Sequence, residues 1–326
     1  MTEPLLRIRN LRVWFPVGAA LFGKPAQLRA VDGVDFELQA GEALGIVGES
    51  GCGKSTLARA ILRLVPSTAG QIVWMGQSIE GWSTRRVRPL RRDLQIVFQD
   101  PLASLDPRMT VGEIVAEPLR VHAPELSRAE RRERVTDMLR RVGLSPDVIN
   151  RYPHEFSGGQ CQRIGIARAM VLRPKLLVCD EPVSALDVSI QAQIVNLLQD
   201  LKRDFGMSIL FVSHNLAVVR KLCERVLVLY LGKPMELAPT ERLYADPRHP
   251  YTRGLLAAVP IPDPTVQPLR LGTALGGELP SPLSPPSGCV FRTRCPMAES
   301  QCAATAPTFD EVREGHQVAC WRWRER

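Results

Sequence analysis

Nine consecutive residues, Gly48, Glu49, Ser50, Gly51, Cys52, Gly53, Lys54, Ser55 and Thr56, fit the phosphate-binding pattern G-x-x-x-x-G-K-[ST]. Three glycines let a backbone fold around a phosphate chain without Cβ clashes, so that amide N–H groups and the positive end of a following helix face the anion. Lys54 is expected to reach the β- and γ-phosphates, and Ser55 to ligate Mg²⁺. Further along, the apolar run 176–179 ends in Asp180 and Glu181. Asp180 is placed to hold Mg²⁺ through water, and Glu181, beyond the strand end, to polarise an attacking water. Gln99 closes another apolar run, 94–98, where its amide oxygen can sit on a metal or on the attacking water. His214 follows the run 208–212 at the kind of strand end where ligands of open α/β sheets bind. Together these residues predict hydrolysis of a nucleoside triphosphate.

A second anion site is written at Ser157, Gly158, Gly159 and Gln160, which lead into helical periodicity over 163–170. Free N–H groups at a helix start, with the helix dipole behind them, favour a phosphate. One chain cannot easily apply two such sites to one nucleotide, and local reasoning leaves the occupant of the second one open.

The elements that must position these groups are legible around them. The run 43–47 reads as a buried strand and 56–64 as a helix stopping before Pro66, so strand, glycine loop and helix come in the required order. Residues 5–15 and 31–38 alternate as strands, with a Gly- and Pro-containing loop over 18–25 between them, which predicts an antiparallel β subdomain. Residues 71–74 suggest another short strand. From about 110 to 169 the pattern is helical: Ser127 and Glu130 make a capping box, Val135, Leu139 and Val142 share a face, and Gly143 marks a stop. After Asp187, Ile190, Ile194, Leu197, Leu198 and Leu201 share one helical face, and 226–230 supplies a last core strand.

With 326 residues and 45% hydrophobic composition the chain can bury a sizeable core. No apolar run approaches the roughly 20 residues a spanning helix needs, and Glu3, Pro4, Arg7 and Arg9 do not form a secretory leader, so a cytosolic chain is expected. The net charge of +8 owes much to Arg85, Arg86, Arg88, Arg91 and Arg92, readable as a solvated face or as a surface for an anionic partner. From Asp246 onward lie twelve of the 27 prolines, so regular structure should be sparse there. This tail carries Cys289, Cys295, Cys302 and Cys320 in the spacing C-x5-C-x6-C-x17-C. In a cytosolic chain four such thiolates point to Zn²⁺ or a [4Fe–4S] cluster, or remain free thiols; the spacing matches neither a zinc knuckle nor a ferredoxin run. Cys52, Cys179 and Cys223 read as packing residues.

The phosphate loop, Gln99, the 157–160 signature, Asp180-Glu181, Asp187 and His214, in this order and spacing, resemble the ATPase subunits of ABC transporters over about residues 5–240. The stretches 98–108 and 249–253, with Glu117-Pro118-Leu119, are similar to the oligopeptide/dipeptide importer branch and its F-type ATPase subunit. The resemblance implies an α/β P-loop NTPase core with an N-terminal antiparallel β subdomain and a helical subdomain over about 104–170. It places the ATPase domain at 1–245 and a Pro/Cys-rich importer-type extension at 246–326. Trp14 and Phe15, at the end of the first strand, either stack on an adenine ring or are core or surface residues of the strand; by the family pattern Phe15 is the stacker, Gln99 senses the γ-phosphate, joins the Mg²⁺ shell and couples to the permease, and His214 contacts the γ-phosphate. Ser157, Gly158, Gly159 and Gln160 would grip ATP held by a partner ATPase, and Asp187 would link the two sites. Two ATPs would then join two subunits head to tail, and hydrolysis would release them. The expected partners are a second, homologous ATPase in a heterodimer, two transmembrane permeases and an extracytoplasmic solute-binding protein, at the cytoplasmic face of the inner membrane. Cys161 departs from the family, which usually has a polar or basic residue there.

No nucleic-acid partner is expected. Repair and chromosome ATPases of this class insert long coiled coils between phosphate loop and signature, where this chain has only about a hundred residues, and ribosomal ones carry two ATPase domains. A regulatory subunit without turnover would not need Glu181 and His214.

Overall fold

The computed structural model of the chain describes residues 3–18, 25–259 and 276–324. The loop expected over 18–25 and the prolines at 260, 262, 264 and 268 therefore lie largely or wholly outside the described residues. Two compact units are built from discontinuous stretches, 1–38, 44–80 and 214–326 forming one, 39–43 and 81–213 the other. The units cut across the sequence division at 245/246, because the extension pairs its strands with the body of the first unit.

In the first unit β1 (Leu6–Val17) pairs antiparallel with β2 (Ala26–Leu38) and with β4 (Ala69–Trp74), and β4 pairs with the short β5 (Gln77–Ser78). Alternation decides which face is buried: Leu6, Ile8, Leu11 and Val13 of β1 are all within 1% of complete burial. The same unit holds all but the first residue of β3 (Ala43–Val47), a strand buried at every position, and α1 (Lys54–Ile61). Its strand β9 (Arg225–Tyr230) runs parallel to β3 with Gly45 opposite Val226 and Ile46 opposite Leu227. Strand β10 (Lys233–Pro239) turns back antiparallel on β9.

Beyond β10 the extension contributes regular structure that its composition concealed. Strand β12 (His316–Val318) pairs with β10, placing Val318 opposite Glu236, and β11 (Asp310–Arg313) pairs with β12.

The second unit contains a parallel sheet in the order β6 (Leu94–Val97), β7 (Leu176–Asp180), β8 (Ser208–Val212). Strands β7 and β8 are buried along their whole length, as expected for parallel strands covered on both faces. Its helices are α2 (Thr84–Val87), α3 (Val111–His122), α4 (Arg128–Arg141), α5 (Gly158–Met170) and α6 (Val188–Phe205). Capping boxes open α3 at Thr110/Glu113 and α4 at Ser127/Glu130, and the left-handed Gly206 closes α6. The first unit adds α7 (Leu216–Leu222), α8 (Thr240–Ala245), α9 (Pro250–Ala257) and α10 (Ser300–Ala304). No helix among the described residues is long and apolar enough to cross a membrane.

Candidate nucleotide site

The phosphate loop joins β3 to α1 and depends on glycine at two places. Gly48 has φ 151, and a Cβ there would meet the Leu229 carbonyl oxygen at 2.2 Å. Gly53 has φ 101, and its Cβ would meet the Ala30 carbonyl oxygen at 2.0 Å. The loop is tied to the β9–β10 turn, since Gly232 N–H donates to the Cys52 carbonyl at 2.9 Å. Lys54 is 4% exposed, and its Nζ donates to the carbonyls of Gly48 at 2.9 Å and Glu49 at 3.0 Å. No side chain caps α1 and its first turn holds no acidic residue, so the positive helix end carries no competing anion of its own. Cys52 is buried, and desolvation pushes its thiol up despite the opposing pull of Lys54, which makes it a packing residue. Cys179 and Cys223 are likewise buried.

In the second unit Asp180 ends β7 at complete burial. Glu181 follows in a left-handed conformation, φ 48, and its N–H donates to the Val212 carbonyl at 3.0 Å, which turns the chain out of the sheet. Gln99 Nε2 donates to Glu181 Oε2 at 3.4 Å. The sequence offers the amide oxygen of Gln99 to a metal or water; with the nitrogen end on Glu181, the oxygen is the end that remains for such a partner.

Ser157 is the N-cap of α5: its hydroxyl accepts from Gln160 N–H at 3.4 Å, and Gln160 Oε1 accepts from Ser157 N–H at 3.0 Å. Ser157, Gly158 and Gln160 are exposed. Gly159 faces α6 so closely that a Cβ would meet Ile190 Cγ2 at 2.7 Å. Asp187 caps α6, accepting from Ile190 N–H at 3.0 Å and from the Ser189 hydroxyl at 2.7 Å; that hydroxyl and the N–H hold its carboxyl below the usual carboxylate range. The second unit thus brings the signature helix and the Asp187 turn together on an exposed surface, with Val188 81% exposed beside them. Cys161 points inward, fully buried, with its thiol 3.4 Å from the Pro153 carbonyl, so the unusual residue faces the core rather than the signature's surface.

In the first unit His214 is exposed, one residue before Asn215, which caps α7 by accepting from Ala217 N–H at 3.0 Å. Phe15 is half-buried on β1 opposite Leu28. Its neighbour Trp14 is engaged by two guanidinium groups, Arg29 at 4.9 Å and Arg12 at 5.8 Å from the ring centre.

The extension is held by a buried carboxylate. Glu236, with no exposed surface, accepts from Arg248 N–H at 2.7 Å and His249 N–H at 3.0 Å, and meets His316 Nε2 at 2.7 Å. Cys302 is buried and Cys289, Cys295 and Cys320 half-buried, and Cys289 N–H donates to the Cys302 carbonyl at 2.7 Å. Burial first, and then the charges of the other tail cysteines, push the thiols of Cys289 and Cys320 up, that of Cys320 to about 11. The four thiols therefore share one neighbourhood. Among the described residues, however, no group of three or more Cys, His, Asp or Glu is arranged as a ready metal site. Local sequence reasoning assigned no role to Tyr251 or Arg294, although the conspicuous stretch 249–253 marked the first of them.

A glycine phosphate loop between a buried strand and a helix, a buried aspartate followed by a glutamate at a parallel strand end, and an exposed Ser-Gly-Gly helix start define an ABC-type ATPase. The family model described as ABC transporter matches residues 31–184, and the one described as oligopeptide/dipeptide transporter, C-terminal region, matches residues 235–302. The oligopeptide transport ATP-binding protein OppF of Escherichia coli (strain K12) is 58% identical over 97% of this chain and 95% of its own length. OppF of Haemophilus influenzae is 55% identical over 98% and 97%. Among solved structures, the dimeric post-hydrolysis state of the ATP-binding cassette MJ0796 bound to ADP and Pi superposes with TM-score 0.65 at 29% identity, covering 72% of this chain and 98% of that one. The chain belongs to the family of ATP-binding subunits of oligopeptide/dipeptide ABC transporters, on its F-type branch. It is an ATPase that uses ATP and Mg²⁺.

Proposed function

We propose that this chain is the ATP-hydrolysing subunit that powers import of di- and oligopeptides, bound peripherally at the cytoplasmic face of the cytoplasmic membrane. The carrying observation is that one chain combines a phosphate loop with an exposed signature helix, Ser157 at its cap and Asp187 beside it. A signature that serves a neighbour's nucleotide explains two anion sites in one chain. The partner is a second, homologous ATPase in a heterodimer, and the pair drives two permeases fed by an extracytoplasmic solute-binding protein.

In this reading Lys54 neutralises the β- and γ-phosphates, and Ser55, Asp180 and Gln99 complete the Mg²⁺ shell. Glu181 polarises the water, with its carboxylate oriented by Gln99, while His214 contacts the γ-phosphate. Residues 48–56 wrap the phosphates with backbone amides, and Phe15 stacks on adenine, Trp14 being taken up by Arg12 and Arg29.

The tail cysteines are proposed to hold a [4Fe–4S] cluster, with Zn²⁺ as the rival. Their residues fit in kind, four thiols sharing one partly buried neighbourhood, although no three of them are arranged as a ready site among the described residues. A bound group would supply structural cross-linking. Reconstitution with cognate permeases tests the transport reading: labelled peptide should accumulate only with ATP and with Glu181 intact, and accumulation by Glu181→Gln would overturn it.

A further inference from the structure

Glu49 is a carboxylate within the phosphate loop, and the C-terminal extension grips it at two points. Arg294 donates Nη1–H to Oε2 at 2.6 Å and Nη2–H to Oε1 at 3.0 Å, while its Nε–H donates to the Gly276 carbonyl at 3.0 Å. The Arg294 side chain is only 5% exposed and that of Glu49 30%, so the guanidinium is buried and the carboxylate half-buried. The guanidinium lies 5.8 Å from the centre of the Tyr230 ring. At the same residue's backbone, Glu49 N–H donates to the Tyr251 hydroxyl at 2.9 Å. Tyr251 is in turn fixed by packing: its ring centre is 4.7 Å from that of Tyr230 and 5.3 Å from that of Phe291.

Two physical arguments give the grip a purpose. A loop held by left-handed glycines has no strong preference of its own for one conformation, and Glu49 is its best-anchored point: its carbonyl accepts both Lys54 Nζ at 3.0 Å and Cys52 N–H at 3.3 Å. Moving Glu49 moves the acceptor that orients Lys54. A carboxylate in a polyphosphate cradle is also an electrostatic liability, since it repels the ligand the loop must bind unless a cation offsets it. A two-pronged guanidinium–carboxylate pair does both tasks, fixing geometry and cancelling charge.

We propose that Arg294 is a positioning residue for ATP binding, through which the cysteine-bearing extension sets the phosphate loop and neutralises Glu49. The inference rests on residues 48–56 being the ATP site. The extension is then part of the nucleotide-binding apparatus, although Arg294 lies 245 residues from Glu49.

Equilibrium binding of Mg·ATP to the full chain in its assembled transporter tests this with Arg294→Gln, Arg294→Lys, Glu49→Gln, the double variant Arg294→Gln/Glu49→Gln, and Lys54→Ala. Arg294→Gln should weaken binding about tenfold and Arg294→Lys less, because lysine keeps the charge and loses the fork. The double variant should return to within about twofold of Glu49→Gln alone, since no carboxylate is then left uncompensated. Wild-type affinity in Arg294→Gln alongside lost affinity in Lys54→Ala would overturn the proposal and leave the ATP site standing. Weak binding by Arg294→Gln that Glu49→Gln does not relieve would overturn it too, marking the arginine as mere packing. Unaltered binding by Lys54→Ala would instead remove the assignment of the loop on which the inference stands.

Discussion

Gln99 donates its side-chain amide to the Glu181 carboxylate at 3.4 Å, linking the end of β6 to the end of β7 through the two residues assigned to γ-phosphate sensing and water activation. Glu181 reaches outward because its backbone is left-handed, a conformation held by its N–H bond to Val212. The carboxylate thus has its direction set by two neighbours in its own unit.

Removing the base while leaving the phosphate loop intact should separate binding from chemistry. Glu181→Gln is expected to bind ATP like the parent and to lose about 10²-fold or more in turnover, whereas Lys54→Ala should weaken binding itself. Gln99→Ala should lower kcat about tenfold with little change in KM for ATP if it orients Glu181. Steady-state ATPase assays on the assembled transporter measure all three, and normal turnover by Glu181→Gln would remove it from the mechanism.

The exposed signature makes a claim about partnership. Ser157→Arg introduces bulk and charge at the α5 cap and should depress hydrolysis strongly, while nucleotide binding at this chain's own loop, measured with the isolated chain, stays within about twofold. ATPase activity of the pair should rise more than linearly with protein concentration. Hydrolysis by the isolated chain with no concentration dependence would contradict a shared site.

The extension should report on pH through His249. Burial holds this histidine down at about 4 against 6.5 for the free side chain, the Glu236 carboxylate opposing the shift, while its Nδ1 accepts from Tyr251 N–H at 3.0 Å. Above about pH 6.5 the ring is neutral in both folded and unfolded chains and nothing is lost. As pH falls from about 6.5 to about 4 only the unfolded chain takes up the proton, so stability declines, by about 3 kcal/mol over the full window. Denaturant titrations at pH 7.5 and pH 4.5 should show this decline in the parent and a smaller one in His249→Gln. Equal declines would mean that the ring is not held neutral.

Metal content tests the cross-link proposed for the tail. Protein purified without oxygen should carry about four iron and four sulfide per chain if Cys289, Cys295, Cys302 and Cys320 hold a cluster, or about one zinc if they hold that ion. Exchanging Cys302 for Ser should then release the metal and expose the tail to protease. A protease-resistant tail with no metal would reduce the four thiols to packing.

Much of the core was legible because its signals are local. The order strand, glycine loop, helix needs only neighbours in sequence, and it places residues 48–53 between β3 and α1 and 54–56 in the first turn of α1, which starts at Lys54 and ends at Ile61, short of the 56–64 reading. The early end has a cause, since Arg63 takes up a left-handed conformation, φ 55, before Pro66. The capping box at Ser127 and Glu130 and the buried runs that became β7 and β8 were equally readable, each being a short pattern with its own periodicity or cap.

The tail was decided by tertiary structure. Its proline content predicted little regular structure, yet β12 forms because His316 meets the buried Glu236, 80 residues earlier, and β10 offers an edge to pair with. Nothing in the neighbourhood of His316 announces that partner, because a buried hydrogen-bonded pair is a property of two distant stretches brought together and carries no periodicity in either. The same holds for Glu49, which sequence alone marks only as a variable position in a phosphate loop. That it is clamped by Arg294 and Tyr251 follows from how the extension packs, since hydrogen bonds and apolar burial select the closing contacts only once both ends of a long chain are in place.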